Sequence, residues 1–391
     1  MPSTDDGIDM ERQSMTRIGL LVGILALLVA ACGDGGTDSA AEPPSTTAIA
    51  TSTSAATPSS SAGAADQESG EAEVWPSDRI HPTLLHDSVG QHLLMFSGMS
   101  AMQRTVDLRE VWSLDTDDFS WGFVGESGPF DALINFGADI ESGQIVAFNL
   151  EPAQTWSFDL ESQSWQERDP AEQPESTSTN PRFGAPLTYD AESDRLVLFA
   201  GGSPWHMYSD TWAYDFNSDT WELMDPATSP SPRAMYATAY DSESDRILLW
   251  GGFTGTDEND VQMWAYDYNT DTWEALPNTD GPQQHWERHG MAYLPDIDRV
   301  LFYSGMLEEE GVLPAETWYY DYNANSWTAV RVETSPPKLA MYGMEYDPTI
   351  GKVVLFGGEK TSKYATDLSS DIWVFDPNTE NWSIVSAPDA R

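Results

Sequence analysis

A twelve-residue marker recurs six times along this chain, and its spacing limits the folds open to it more than any other feature. The copies are EVWSLDTDDFSW from Glu110, QTWSFDLESQSW from Gln154, DTWAYDFNSDTW from Asp210, QMWAYDYNTDTW from Gln262, ETWYYDYNANSW from Glu316 and DIWVFDPNTENW from Asp371. Each keeps a Trp, an acid three residues later and a second Trp nine residues after the first. The first Trp stands at 112, 156, 212, 264, 318 and 373, in steps of 44, 56, 52, 54 and 55 residues. A unit of that size cannot bury both of its faces alone, so the period implies units stacked on one another, as in a propeller array.

The marker reads as a β-hairpin. In the third copy Trp212, Tyr214 and Asp215 belong to one strand, Phe216 to Ser218 are turn-like and Trp221 opens the return strand. A turn centred between Phe216 and Asn217 would set Trp212 directly opposite Trp221 as an aromatic cross-strand pair, with the acid capping the turn. A second hairpin precedes the marker, as in YDAESDRLVLFAGG (Tyr189 to Gly202), YDSESDRILLWGG (Tyr240 to Gly252) and YDPTIGKVVLFGG (Tyr346 to Gly358). Two hairpins give each unit four strands.

An apolar strand ending in Gly-Gly, then Tyr-Asp, then Trp about six residues on, resembles the Kelch repeat. The resemblance covers roughly residues 77 to 387, with the second Gly at Gly98, Gly201, Gly252, Gly305 and Gly358. The second copy departs from it, carrying Phe148 to Glu151 at that point and following the short 44-residue step. What the resemblance implies is an all-β fold, a six-bladed Kelch-type β-propeller of four-stranded antiparallel blades. Blades are expected near Ser77–Gly125, Glu126–Asp169, Pro181–Asp225, Ser231–Pro277, Trp286–Arg331 and Pro337–Ala387. Closure is expected through packing of blade 6 on blade 1, with Glu73 to Trp75 available as an added strand.

Ahead of the repeats the chain has another character. Ile18 to Ala31 is an uncharged, mostly apolar run of fourteen preceded by Arg12 and Arg17, too short for a mature membrane span and suited to a signal peptide. It ends in Leu28-Val-Ala-Ala-Cys32, which resembles the bacterial lipobox, and Cys32 is the sole cysteine. The opening Met1 to Glu11 is acidic, and Met15 would make a tidier start. Residues 33 to 73 are Ser, Thr, Ala, Gly, Pro and acids, a composition that packs no core. As a flexible tether of ~40 residues it would reach roughly 35 Å. The expected organisation is a lipoprotein signal peptide over 1–31, lipidated Cys32 and a disordered tether over 32–73, and the propeller over 74–391.

The chain carries 64 acids against 18 bases, a net charge of −46. So negative a field disfavours nucleic acid and anionic lipid surfaces, and the scarcity of lysine (Lys338, Lys352, Lys360, Lys363) suits salty surroundings.

Chemistry-bearing motifs are few. The copper and Cys-Tyr cross-link of galactose oxidase, a relative by fold, need a cysteine, and the sole one is Cys32. Asn217-Ser-Asp219-Thr-Trp221 lacks the Gly of a sialidase Asp box. Asp215-x-Asn217-x-Asp219 and Asp267-x-Asn269-x-Asp271 open like calcium loops but lack the later Gly and Glu, so they read as plain turns. No metal site or cofactor is expected. Trp205-His206-Met207-Tyr208 and His285-Trp286-Glu287-Arg288-His289 fall in two loop types that open on one face in Kelch rings, and read as aromatic lining of a binding face.

Arg79, Arg182 and Arg233 each precede an acid (Asp87, Asp190, Asp241) by eight residues, and Arg288 and Lys338 enter blades 5 and 6 at nearly the same point. Two readings stand. Each arginine is a structural group paired to a neighbouring blade, or they converge over a channel mouth walled by Tyr236, His289 and Tyr342, which share one alignment column, and bind a carboxylate. The function expected is an envelope-anchored, monomeric binding module for a protein, peptide or glycan. The alternative is a carbohydrate-active enzyme similar to the sialic-acid epimerases, a reading that fold analogy alone supports.

Lipidation is directly testable: a Cys32→Ser variant should leave the membrane fraction, and partitioning like that of the parent would overturn the lipoprotein reading.

Overall fold

Short apolar runs such as RLVLF (Arg195–Phe199), RILLW (Arg246–Trp250) and KVVLF (Lys352–Phe356) are buried along almost their whole length, whereas TWELM (Thr220–Met224) buries its Trp and exposes much of the rest. The first pattern belongs to a strand covered on both faces, the second to a strand at an outer edge. A computed structural model describes residues 75–385 apart from 101–107, 127, 129–134, 151–152, 204, 257–259, 284–285, 308–314 and 361–366, so Cys32, the 33–73 segment and His285 lie outside the described residues.

Among the described residues the chain forms six four-stranded antiparallel sheets, each built from strands consecutive along the chain apart from two-residue ribbons on the connecting loops of blades 3 and 5. Blade 1 is Thr83–Asp87, His92–Phe96, Val111–Asp115 and Ser120–Gly125. Blade 2 is Asn135–Asp139, Gln144–Leu150, Ala153–Asp159 and Ser164–Glu167. Blade 3 is Leu187–Asp190, Arg195–Phe199, Thr211–Asp215 and Thr220–Met224. Blade 4 is Ala237–Asp241, Arg246–Trp250, Met263–Asp267 and Thr272–Leu276. Blade 5 is Gly290–Leu294, Arg299–Tyr303, Thr317–Asp321 and Ser326–Val330, and blade 6 is Gly343–Asp347, Lys352–Phe356, Ile372–Asp376 and Asn381–Val385. First strands of successive blades touch all the way round, and the sixth touches the first, so the sheets form a closed ring around a central channel. All six blades fall within their expected bounds. In blade 2 the second and third strands are joined by a tight hairpin, Leu150 opposite Ala153, which accounts for the 44-residue step.

Register corrects one expectation. Trp221 stands opposite Tyr214, and Trp212 opposite Leu223. The turn spans Phe216 to Asp219, with Asp219 left-handed at φ 55°, and this extra residue moves the return strand out of the expected Trp–Trp register. The aromatic cross-strand pair is therefore Tyr214–Trp221, rings 4.9 Å apart, repeated as Tyr266–Trp273 and Tyr320–Trp327 at the same 4.9 Å. The acid does cap the turn, Asp215 Oδ1 accepting the Ser218 N–H at 3.1 Å.

The second marker Trp is also the group that joins blades. Trp221 lies 5.7 Å from Phe148 of blade 2, and its indole N–H donates to Thr155 Oγ1 there at 2.9 Å. Trp273 repeats this on Phe199 and Thr211 of blade 3, and Trp382 on Tyr303 and Thr317 of blade 5. For Trp121 and Trp327 the residues in the Thr place are Ile372 and Met263, and neither indole N–H finds an acceptor among the described residues.

Among the described residues no strand is exchanged where blade 6 meets blade 1, and Glu73 and Val74 of the expected added strand lie outside them. Trp75 is not part of a strand; its indole instead donates to Ser370 O at 2.8 Å and meets Trp121 edge-on at 6.5 Å. Gly358 N–H donates to Arg79 O at 2.8 Å and Thr116 Oγ1–H to Asp347 Oδ2 at 2.5 Å across the same seam. A Cβ on Gly343 would come within 2.9 Å of Leu84 in blade 1, so that face of the strand, which also carries Glu345, looks into the seam. Burial, and secondarily the Asp347 charge, push the Glu345 carboxyl up to about 8.

Two outcomes are expected. Trp221→Ala or Trp273→Ala should cost ~3–5 kcal/mol, the range for a buried aromatic, and Thr155→Val ~1 kcal/mol for the lost hydrogen bond, read from denaturant midpoints; a parent-like midpoint for Trp221→Ala would exclude an interblade role. The raised Glu345 carboxyl keeps its proton in the folded ring after the unfolded chain has lost it. Its contribution is therefore complete below about 4.5 and is lost as pH rises to about 8. Glu345→Gln should match the parent below about 4.5, gain on it over that interval and hold a constant lead above about 8, and a difference that does not vary with pH would refute the assignment.

Candidate functional site

Chain connections emerge on two faces of the ring: short capped turns on one, and on the other the segments that follow each second strand, long in every blade but blade 2, together with the segments entering each blade. On this loop face the entering chain pairs with the segment after the second strand of its own blade, as Ile80 with Met99, Phe183 with Gly202, Ala234 with Phe253, Ala340 with Glu359, and Glu287 with Met306. The residue after each of these is left-handed: His81, Gly184, Met235, Arg288 and Met341, with φ between 54° and 62°. Four of the five then direct their N–H at the preceding blade. Met235 donates to Gly184 O at 2.8 Å, Arg288 to Met235 O at 2.9 Å, Met341 to Arg288 O at 3.0 Å and His81 to Met341 O at 2.7 Å. A left-handed conformation costs a non-glycine residue about 1–2 kcal/mol, which each inter-blade hydrogen bond offsets in part. At Gly184 a side chain is excluded outright, since a Cβ would lie 2.6 Å from Met235 N. Blade 2 completes the collar with a side chain, Asn135 donating to Arg182 O at 3.1 Å and accepting from Ala185 N at 3.2 Å.

Arg79, Arg182 and Arg233 lie two residues before the collar, with side chains 0% exposed. Arg182 forks onto Asp210 at 2.7 and 2.9 Å, Arg79 meets Glu110 at 2.8 Å, and Arg233 meets Asp260. Each guanidinium also donates to the carbonyl at the end of its blade's second strand, Ala200 O at 2.6 Å, Ser97 O at 3.0 Å and Gly251 O at 3.0 Å. They do not converge over a channel mouth. They are internal struts, and the acids they hold belong to their own blades, not to neighbouring ones. The same acids accept Trp112, Trp212 and Trp264 indole N–H groups. Burial opposes ionisation of Asp210 and Asp260, and the arginine hydrogen bonds and charge outweigh it, holding both below the usual carboxylate range. In blades 5 and 6 this place is taken by Trp286 and Leu339, both buried, so Arg288 and Lys338 are not equivalents of Arg233; Lys338 is exposed and Arg288 sits in the collar.

Tyr236, His289 and Tyr342 do occupy one position, directly after the collar residue, and all three are buried. Tyr236 O–H donates to Phe199 O of blade 3, Tyr342 O–H to Tyr303 O of blade 5, and the His289 ring meets Trp250 of blade 4 edge-on at 5.2 Å. Burial drives both phenols well above their ordinary value, as befits seam groups rather than the wall of an open pocket.

What faces solvent at the mouth is different. Met207, Met235 and Met306 are half-buried, and Met306 packs on a buried cluster of Met99, Met341, Ile80, Ala340 and Leu368. Arg288, itself buried, bridges two of the half-buried methionines, Nε–H on Met235 Sδ at 3.1 Å and Nη1–H on Met306 Sδ at 3.3 Å. Next to this rim a two-stranded ribbon, Gly202–Ser203 with His206–Met207, lifts Trp205 to 54% exposure, and His206 is exposed beside it. The ribbon has a stiff base: His206 meets Tyr208 edge-on at 4.5 Å, Tyr208 covers the Arg182 guanidinium at 3.7 Å, and its O–H donates to Asn180 O at 2.9 Å. The methionines escape a motif search, although Ala234-Met235-Tyr236 and Ala340-Met341-Tyr342 repeat the same three residues.

The calcium-like spacings are plain turns. Asn217 donates to Asp194 at 2.8 Å, Asp215 caps Ser218, and Asp219 accepts Tyr214 O–H at 2.7 Å, three separate engagements. Among the described residues no group of three His, Cys, Asp or Glu side chains is arranged to hold a metal ion.

Residues 226–390 match the family described as the KLHDC2/KLHL20/DRC7 Kelch-repeats domain. Mei4-dependent protein 6 of Schizosaccharomyces pombe is 25% identical over 197 residues, 46% of this chain and 28% of that protein. The flagellar outer-arm dynein alpha chain of Chlamydomonas reinhardtii is 25% identical over 211 residues, 49% of this chain and 4% of that one. The chain thus spans less than a third of either relative. Together the family match and the six four-stranded blades support a Kelch-type propeller.

Proposed function

We propose that this chain is a protein-binding propeller that engages its partner through the loop face, with Trp205 as the anchor, and that a lipid on Cys32 and the 33–73 tether hold it at the outside of a membrane. The observation that carries the reading is the ribbon. A large indole left in water is costly unless something covers it, and this one is carried on a ribbon at whose base His206 meets Tyr208 edge-on and Tyr208 covers Arg182. Trp is among the commonest anchors of protein interfaces, and methionines adapt to varied partners, which suits an exposed indole beside half-buried methionines. A peptide or glycan ligand would use the same indole by stacking. The alternative of an epimerase-like enzyme for acidic sugars needs accessible arginines, and Arg79, Arg182 and Arg233 are buried on acids of their own blades.

The test uses the full chain with Cys32→Ser, screened against envelope proteins by cross-linking pull-down and against a glycan array. Trp205→Ala should keep the parent's denaturation midpoint and weaken the captured interaction roughly 30-fold or more, the loss of ~2 kcal/mol expected of an interface anchor. Equal affinity in the two would place the binding surface elsewhere.

A further inference from the structure

Arg288 is seated on sulfur. Its Nε–H meets Met235 Sδ at 3.1 Å and its Nη1–H meets Met306 Sδ at 3.3 Å, one thioether from the collar of blade 4 and the other from the ribbon of blade 5. A thioether is a weak acceptor, so the guanidinium directs strong donors at groups that use little of their capacity. Both sulfurs belong to half-buried residues at the channel mouth, whereas Met95 and Met263 are fully buried and Met99, Met291 and Met341 nearly so. Among the described residues these are the methionine sulfurs that accept hydrogen bonds from a guanidinium.

We propose that Met235 and Met306 form an oxidation site whose product is bound by Arg288. A sulfur lone pair attacks the distal oxygen of a hydroperoxide; the O–O bond breaks and the S–O bond forms. Sulfur loses two electrons, and with hydrogen peroxide the departing hydroxide takes the proton of the transferred hydroxyl and leaves as water. Charge developing on oxygen during the transfer lies beside the guanidinium. The sulfoxide oxygen that results is a strong acceptor placed against a cationic donor, and such charge-assisted bonds are about twice as strong as neutral ones. Methionine sulfoxide in a packed region ordinarily disrupts it. Here the donor is already in place, and oxidation converts a soft contact into a latch that fastens blade 4 to blade 5 across the mouth and makes the rim polar. Sulfoxide reduction returns the thioether, so the change is reversible.

Half-buried Met224 and Met344, which make no hydrogen bond to a guanidinium among the described residues, serve as internal references. The protein is treated with graded hydrogen peroxide, oxygen uptake is mapped by peptide mass spectrometry, and thermal midpoints are followed. Met235 and Met306 are expected to gain oxygen before Met224 and Met344, with the oxidised parent's midpoint at or above its untreated value. In Arg288→Leu the same two sulfoxides should lower the midpoint by ~2–4 °C or more. Oxidation of the reference methionines first, or an oxidised parent that falls as far as oxidised Arg288→Leu, overturns the proposal. Should Arg288→Leu not fold, the parent is compared with Met235→Leu/Met306→Leu under peroxide: a parent that holds or rises against the double variant supports the site, and one that drops below it overturns it.

Discussion

Burial across seams is the constraint on which the rest of this structure depends. A single four-stranded sheet with apolar residues on both faces has nowhere to put them except against another sheet, and here each sheet uses its neighbours. The second marker Trp carries that dependence: Trp221 stacks on Tyr214 of its own blade, touches Phe148 of the preceding one and donates its N–H to Thr155 there. One side chain thus supplies apolar contact and direction together, since the indole N–H is satisfied in only one orientation. Where the preceding blade offers Ile372 or Met263 instead of Thr, packing remains and the hydrogen bond does not. The seams are therefore unequal. That between blades 6 and 1 holds Glu345 and the incoming Trp75.

In so acidic a chain the use of the few bases is informative. Arg79, Arg182 and Arg233 are spent inside, each tying an entering segment, the end of a second strand and the acid before a third strand into one blade. Desolvating a guanidinium is expensive, and a carboxylate, bidentate at Arg182 and single-oxygen at Arg79 and Arg233, together with two carbonyl acceptors compensates for it. Blade 5 reaches the same end with buried Trp286 and blade 6 with Leu339, consistent with ion pairs and apolar groups of similar volume being interchangeable at buried positions.

Much of the fold is legible in the sequence because Trp, Asp and Gly-Gly mark strand ends that physics leaves little choice about. Register is less so: placing Trp212 opposite Trp221 assumed a shorter turn, and nothing in Phe216-Asn217-Ser218-Asp219 announces that Asp219 turns left-handed. Pairing of Arg182 is hidden for a different reason, its acid standing 28 residues away at the end of a loop. The place of Arg288 was within reach. A column shared by Tyr236, His289 and Tyr342 puts Arg288 level with Met235 and Met341, which contradicts aligning it with Arg233, and the structure follows the aromatic column.

That column explains why the loop face, and not the turn face, varies from blade to blade. On the turn face the 3–4 turns repeat one device, an acid that closes the third strand and caps the turn, as Asp215, Asp267 and Asp321 do. On the loop face the backbone repeats through a left-handed residue whose N–H reaches the preceding blade, and a left-handed residue presents its side chain differently from its neighbours while leaving the hydrogen bond to the main chain. The collar consequently accepts His81, Gly184, Met235, Arg288 and Met341 without altering the ring, and blade 2 joins it through an Asn side chain. Where main-chain N–H groups make the link, as at His81, Met235, Arg288 and Met341, atoms every residue possesses hold the geometry and the side chain is free to differ; between blades 2 and 3 the link needs Asn135 and leaves room only for Gly184.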